Sequence, residues 1–194
     1  MASASIPADR PIDPAIVARY HQDLLLNVHA LNYYMERRGI TIETVKKYKI
    51  GWNSGYGRYT IPVFDEKGEI WNIRLYKFDP KDGEPKIYSW GESRDGKKYT
   101  WGKNRLYPIR SLLAASRMQD KQIIICEGEH DALILNQNGL LAVTGTAGAG
   151  STKLLEENVE LFRDLNVVLV FDCDEAGRKG ASDAAKILDR KSVV

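Results

Sequence analysis

Residues 121–133, KQIIICEGEHDAL, decide how this chain is read, together with 139–152, GLLAVTGTAGAGST, and 166–188, NVVLVFDCDEAGRKGASDAAKIL. Each segment holds one short apolar run: residues 123–126, 140–144 and 167–171. Turn residues bound the runs, and stretches of helical period separate them. This alternation predicts a βαβα unit around a buried parallel sheet, hence an α/β fold. The runs end at Glu127-Gly128, at Gly145-Thr146 and at Asp172-Cys173-Asp174. In an open parallel sheet the carboxyl ends of the strands lie along one edge, where ligands bind. Glu127, Asp172 and Asp174 are therefore expected to converge, although 45 residues and more separate the glutamate from the aspartates.

Clustered carboxylates repel one another, and a cation relieves the repulsion. Hard carboxylate oxygens suit Mg²⁺, which takes one or two protein carboxylates and keeps waters or phosphates on its other positions. Such a site fits phosphoryl transfer. A second explanation of Asp172-Cys173-Asp174-Glu175 is that acids open a helix, as N-cap and first-turn residues.

The set Glu127-Gly-Glu-His-Asp131, Gly145-Thr146 and Asp172-Cys-Asp174-Glu-Ala-Gly177 resembles the topoisomerase–primase (Toprim) domain. It is most similar to the primase part of bacteriophage primase–helicases and, next, to DnaG-type primases. The resemblance covers residues 121–194. It implies that Glu127, Asp172 and Asp174 hold catalytic Mg²⁺ or Mn²⁺ and that Asp131 supports them. It also makes Gly128, Gly145 and Gly177 structural turn positions. Toprim domains serve in topoisomerases and nucleases too, so the domain alone does not fix the reaction.

The net charge of +2 hides an asymmetry. Residues 1–120 carry 20 basic and 14 acidic side chains, whereas residues 121–194 carry 8 and 12. A basic part beside an acidic, metal-type part fits a polyanion held over a cation; drift of surface charge would look the same. Two cysteines, Cys126 and Cys173, and three histidines cannot form a four-ligand zinc site of ordinary spacing. They read as reduced thiols of an intracellular, cytoplasmic protein. No run approaches the roughly 20 apolar residues of a membrane span.

Residues 1–12 read as a disordered leader, residues 13–118 as a small mixed α+β subdomain, and residues 119–194 as the Toprim domain, truncated at its C-terminal end. Asp13-Pro14 predicts a helix start, with Ile16, Tyr20, Leu24 and Val28 on one face. A second helix is expected over 28–38 with Gly39 as terminator, and a third is capped by Thr41. The segment 30–52, ALNYYMERRGITIETVKKYKIGW, resembles the start of the DnaG-type polymerase core. Alternation over 58–64 and 69–76 predicts a hairpin, with Pro62 at an edge or bulge. By the same resemblance Arg74 lies beside the active-site cleft. Arg58, the basic residue that opens the hairpin, is a further candidate nucleic-acid contact.

Residues 86–117 hold 8 basic and 2 acidic side chains, interleaved with Tyr88, Trp90, Tyr99, Trp101 and Tyr107. Cations neutralise phosphate and aromatic faces stack bases, so Lys86, Lys97, Lys98, Lys103 and Arg105 are candidate single-strand contacts. Amphipathic aromatics also build ordinary hairpins. Arg178 and Lys179 open the last helix near Asp174 and would touch phosphate or balance the acids. The glycine-rich turn 144–152 is not a P-loop, because no Gly-Lys-Ser/Thr closes it.

Together these readings imply a primase core that makes RNA primers on single-stranded DNA from ribonucleoside triphosphates, alongside a replicative helicase. The alternatives are a Toprim nuclease and a non-catalytic single-strand-binding module.

Overall fold

The computed structural model describes residues 6–94, 97–146 and 151–189. The chain is α/β and forms two compact units, residues 1–103 and 104–194. The division falls before residue 118, so the second unit begins with a strand and a helix that sequence patterning places in the first.

In the first unit, helices α1 (Pro14–Leu26), α2 (Val28–Arg38) and α3 (Ile42–Lys47) precede the strands. Asp13 starts α1 by accepting the Ala15 N–H at 2.9 Å. Asn27 ends α1 and caps α2, accepting the Ala30 N–H at 3.0 Å. The break at Asn27 turns the chain, so Val28 leaves the apolar face of α1 and stands 63% exposed. Gly39 ends α2 at φ 64°, a left-handed conformation that glycine adopts without penalty. Thr41 caps α3 through the Thr44 N–H.

Strands β2 (Gly51–Asn53), β3 (Arg58–Phe64), β4 (Ile70–Tyr76) and β5 (Ile87–Ser89) form an antiparallel sheet in that order. β2 covers β3 only as far as Thr60. Pro62 therefore lies where β3 is an edge on that side, and a bulge follows at Val63/Phe64. A second sheet joins β1 (Ile6–Pro7), β7 (Lys97–Thr100) and β6 (Gly91–Arg94). The leader thus differs from the disordered segment expected: Ile6 and Pro7 pair with Tyr99 and Thr100, and Ile12 is buried. Residues 1–5 lie outside the described part. Val17, Tyr20, Ile70, Ile73, Leu75, Trp90 and Trp101 pack into one core.

In the second unit, β8 (Leu106–Tyr107) and α4 (Ile109–Ala115) precede β9 (Gln122–Cys126), α5 (Glu129–Gln137), β10 (Ala142–Gly145), α6 (Ser151–Glu157), β11 (Asn166–Val170) and α7 (Glu175–Asp189). The sheet order is β11-β9-β10-β8, with β9 parallel to both neighbours and β8 antiparallel at the edge. Apolar residues 123–126 of β9 are buried on both faces, as a central parallel strand requires. β11 departs from that expectation: among the described strands it lies at the edge, and Val168 and Val170 are exposed while Val167 and Leu169 face the core. Residues 190–194 lie outside the described residues, as do residues 147–150 of the glycine-rich turn.

Candidate active site

Strands β9 and β11 are neighbours in the same direction, so Glu127 and Asp172 leave the sheet side by side. The Asp172 N–H donates to Glu127 Oε2 at 3.1 Å. That bond joins the two strand ends across 45 residues of sequence. Asp172, Cys173 and Asp174 are exposed, and Glu127 is half-buried.

Two of the four acids have local tasks. Asp131 Oδ2 accepts the Gly128 N–H at 3.0 Å, closing the first turn of α5. Asp174 Oδ1 accepts the Gly177 N–H at 2.7 Å at the start of α7. These are the caps that acidic residues supply at helix starts. Among the described residues no three His, Cys, Asp or Glu side chains form a ready-made metal cluster. The structure brings the Glu127 carboxylate to the Asp172 backbone, while Asp131 and Asp174 hold their own turns.

Gly177 has a defined reason to be glycine. A Cβ there would sit 2.1 Å from the Asp172 carbonyl oxygen, because α7 packs directly on the end of β11. Gly128 has a milder one, since its Cβ would meet Asp131 Oδ2 at 3.0 Å. Gly145 ends β10 and pairs with Leu106. The next residue, Thr146, stands in the Gly145-Thr146 motif, but the sequence assigns it no role of its own. It is 2% exposed, its Oγ1 accepts the Arg105 N–H at 3.0 Å, and its own N–H reaches the Arg105 carbonyl. A buried threonine after the Gly145 turn signals a tied loop only once β8 is known to pair with β10.

A small hollow of about 40 Å³ lies beside Glu127, lined also by Leu106, Phe171 and Gly145. Its lining is apolar apart from Glu127 and Thr152. Carboxylate oxygens at the strand ends are the donor type that Mg²⁺ or Mn²⁺ takes. Cys126 is unsuited to bind metal or react: burial first, and then the nearby Asp131 charge, push its thiol up to about 12.

The candidate cations divide sharply. Lys86, Lys97, Lys98 and Lys103 are exposed. Arg74 is half-buried and donates to Ser89 Oγ at 3.0 Å. Arg105 is half-buried behind the Thr146 loop. Arg178 folds back onto the Cys173 carbonyl at 2.6 Å, and Lys179 pairs with Asp183 at 2.9 Å. Lys179 is therefore a helix-surface ion pair.

Arg58 contradicts its expected role. It is 1% exposed and donates to the Glu84 carboxylate and to the carbonyls of Leu75, Pro85 and Lys86. Its guanidinium also lies 4.6 Å from the Tyr88 ring centre. A cation enclosed by its own strands has no surface left for a phosphate. The base-stacking reading fails likewise at Trp90, Trp101 and Tyr107, all buried; Trp90 and Trp101 pack ring to ring at 5.0 Å. Trp101 Nε1 donates to the Arg10 carbonyl, which ties the N-terminal segment to the hairpin.

Residues 124–194 match the Toprim-like family. The chain is 28% identical to the DNA primase of Campylobacter jejuni over 141 residues, 70% of this chain and 21% of that protein. It is 25% identical to the DNA primase of Helicobacter pylori over 209 aligned positions, 91% of this chain and 36% of that one. It therefore spans well under half the length of these curated relatives. Among solved structures, it superposes on the zinc-binding and RNA polymerase domains of the Aquifex aeolicus primase with a TM-score of 0.69, at 20% identity, covering 90% of this chain and 50% of that one. Residues 124–194 are a Toprim-like domain, and the chain as a whole resembles the Toprim-domain primases of the DnaG type.

Proposed function

We propose that this chain is the catalytic core of a DNA primase, joining ribonucleotides into short RNA primers on a single-stranded DNA template during replication. The observation that carries this reading is the Glu127–Asp172 bond, which gathers two acidic strand ends at the ligand-binding edge of a Toprim-like sheet. Glu127, Asp172 and Asp174 would hold Mg²⁺ or Mn²⁺. When bound, the ion would favour deprotonation of the attacking hydroxyl and neutralise triphosphate charge.

The chain's own residues do the remaining work. Gly177 lets α7 approach the Asp172 backbone, which fixes the spacing of the two aspartates. Asp131 holds the start of α5, and so the direction in which Glu127 leaves β9. The exposed Lys97, Lys98 and Lys103 would attract a strand through its phosphates. Arg178, near Asp174, would orient a triphosphate. Among the described residues no helix is long and apolar enough to cross a membrane. Intracellular action beside a replicative helicase, on the same or a separate chain, follows from the primase reading.

One gel tests it. The protein is incubated with single-stranded DNA, labelled ribonucleotides and Mg²⁺ or Mn²⁺. Labelled products a few nucleotides long that require template, all four nucleotides and metal support the reading. Shortened DNA without nucleotide incorporation would establish the nuclease, and a mobility shift alone the binding module.

A further inference from the structure

A second cavity, wholly within the first unit, encloses about 460 Å³. Four aromatic rings, Tyr33, Trp52, Tyr59 and Phe78, form its walls. That volume lies in the range of small-ligand sites, about 300–1,000 Å³. Tyr33, Trp52 and Phe78 are only partly buried, so aromatic surface faces the opening. Gly57 stands at the mouth at φ +60°, and a Cβ there would meet nothing within 4 Å.

The walls are held in place before any ligand arrives. Tyr33 donates its hydroxyl to Asp79 at 3.0 Å, and Tyr59 donates its own to the Ala30 carbonyl at 2.9 Å. Trp52 packs against Tyr59 with ring centres 4.8 Å apart, and Tyr59 against Phe78 at 5.5 Å. The Arg37 guanidinium covers the outer side of this wall, 5.6 Å from Tyr33 and 5.5 Å from Phe78. Charges beside the cavity are matched: Asp79 lies 3.7 Å from Arg37, and Lys77 3.0 Å from Glu84. Rigid aromatic walls with donors and acceptors at the rim, including Asn27 and His29, select a flat ligand with apolar faces and polar edges.

We infer that this cavity binds a nucleobase, stacked on the face of Trp52 or of Tyr33, since the rings of Tyr33 and Phe78 stand edge to face at 85°. Stacking on aromatic side chains tolerates any base, because every base has a π-face. The base belongs either to a free nucleotide or to an unstacked position of a single strand. None of the residues that line the cavity belongs to the acidic site, so the cavity is tested without metal.

The experiment uses the whole chain in EDTA, where any contribution of the acidic edge is removed. A thymidine oligomer carrying 5-iododeoxyuridine is irradiated with the protein, and the crosslinked residue is mapped by mass spectrometry. AMP is then added as competitor. Crosslinking at Trp52 or Tyr33 is expected. Loss of the crosslink with AMP would assign the cavity to a free nucleotide, and persistence would assign it to a strand base. Trp52→Leu and, separately, Tyr33→Leu should each weaken oligomer or AMP binding about fivefold to a hundredfold. Thermal melting identifies whichever variant remains folded. Crosslinks confined to other residues, with unchanged binding in a folded variant, would overturn the inference. They would leave the cavity, beside the exposed Leu26, Val28 and Tyr56, to an apolar side chain of a protein partner.

Discussion

The Arg58 guanidinium lies 2.7 Å from the Glu84 carboxylate, with the arginine side chain 2% and the glutamate side chain 29% exposed. Three carbonyls complete the shell of the arginine. This cation therefore ties the β4–β5 connection to β3. Arg58→Met should cost about 3 kcal/mol or more, because the buried acceptors lose their donor together. Urea unfolding would measure the cost. The salt dependence of single-strand binding by the folded variant should be unchanged, since Arg58 presents no charge to solvent.

The same cluster gives a pH dependence. Lys77, then the Lys81 amide and Arg58, hold the Glu84 carboxyl at about 2, below its ordinary 4.5. A depressed carboxyl stabilises the fold above its unfolded value and loses that contribution as pH falls through the folded one. Stability should therefore decline between about pH 4.5 and about pH 2. Urea midpoints at pH 6 and at about pH 3 would show a smaller fall in Glu84→Gln than in the wild type.

Gly177 is the position where one methyl group meets backbone. Gly177→Ala places a Cβ 2.1 Å from the Asp172 carbonyl oxygen, so β11 and α7 must separate. We expect a loss of about 2 kcal/mol or more in chemical denaturation. The Asp174 cap should be loosened with it, since it binds the Gly177 amide. Stability equal to the wild type would mean that the helix start relaxes freely.

The exposed lysines carry a separate prediction. Lys97, Lys98 and Lys103 substituted together by Gln should weaken single-strand binding and flatten its dependence on salt. The log–log slope should drop by about 0.7 for each phosphate that is no longer neutralised. Fluorescence anisotropy across a salt series reads the slope directly. No change would move the strand to another face.

The three parallel strands, their order of appearance and the acidic turns at their ends were legible because period and punctuation are local properties. The helix starts at Asp13 and Thr41 and the stop at Gly39 were legible for the same reason. β8 was not, because two residues, Leu106 and Tyr107, carry no period; only pairing with Thr144 and Gly145 makes them a strand. Arg58 was misread because composition counts a charge without its surroundings, and its partners arrive 17 to 28 residues later. Trp90 and Trp101 were misread as stacking residues because an aromatic in a basic stretch looks alike whether it faces a strand of DNA or the core. At the site, the meeting of β9 and β11 followed from parallel topology. The Asp174 cap was one of the two readings the sequence left open, and the Asp131 bond to the Gly128 amide was not foreseen, since a cap and a ligand use the same residue type at the same place.

In the proposed site Glu127, Asp172 and Asp174 would hold one divalent cation. Thermal melting of the wild type and of Glu127→Gln, Asp172→Asn and Asp174→Asn, with and without Mn²⁺, tests it most directly. At an ion concentration tenfold above Kd, binding adds about 1.4 kcal/mol. That corresponds to a rise of about 4 °C. This rise is expected in the wild type, with its loss or reduction in all three variants, and equal or higher metal-free melting temperatures where a repelling charge has been removed. The same Mn²⁺-induced rise in all four proteins would contradict it.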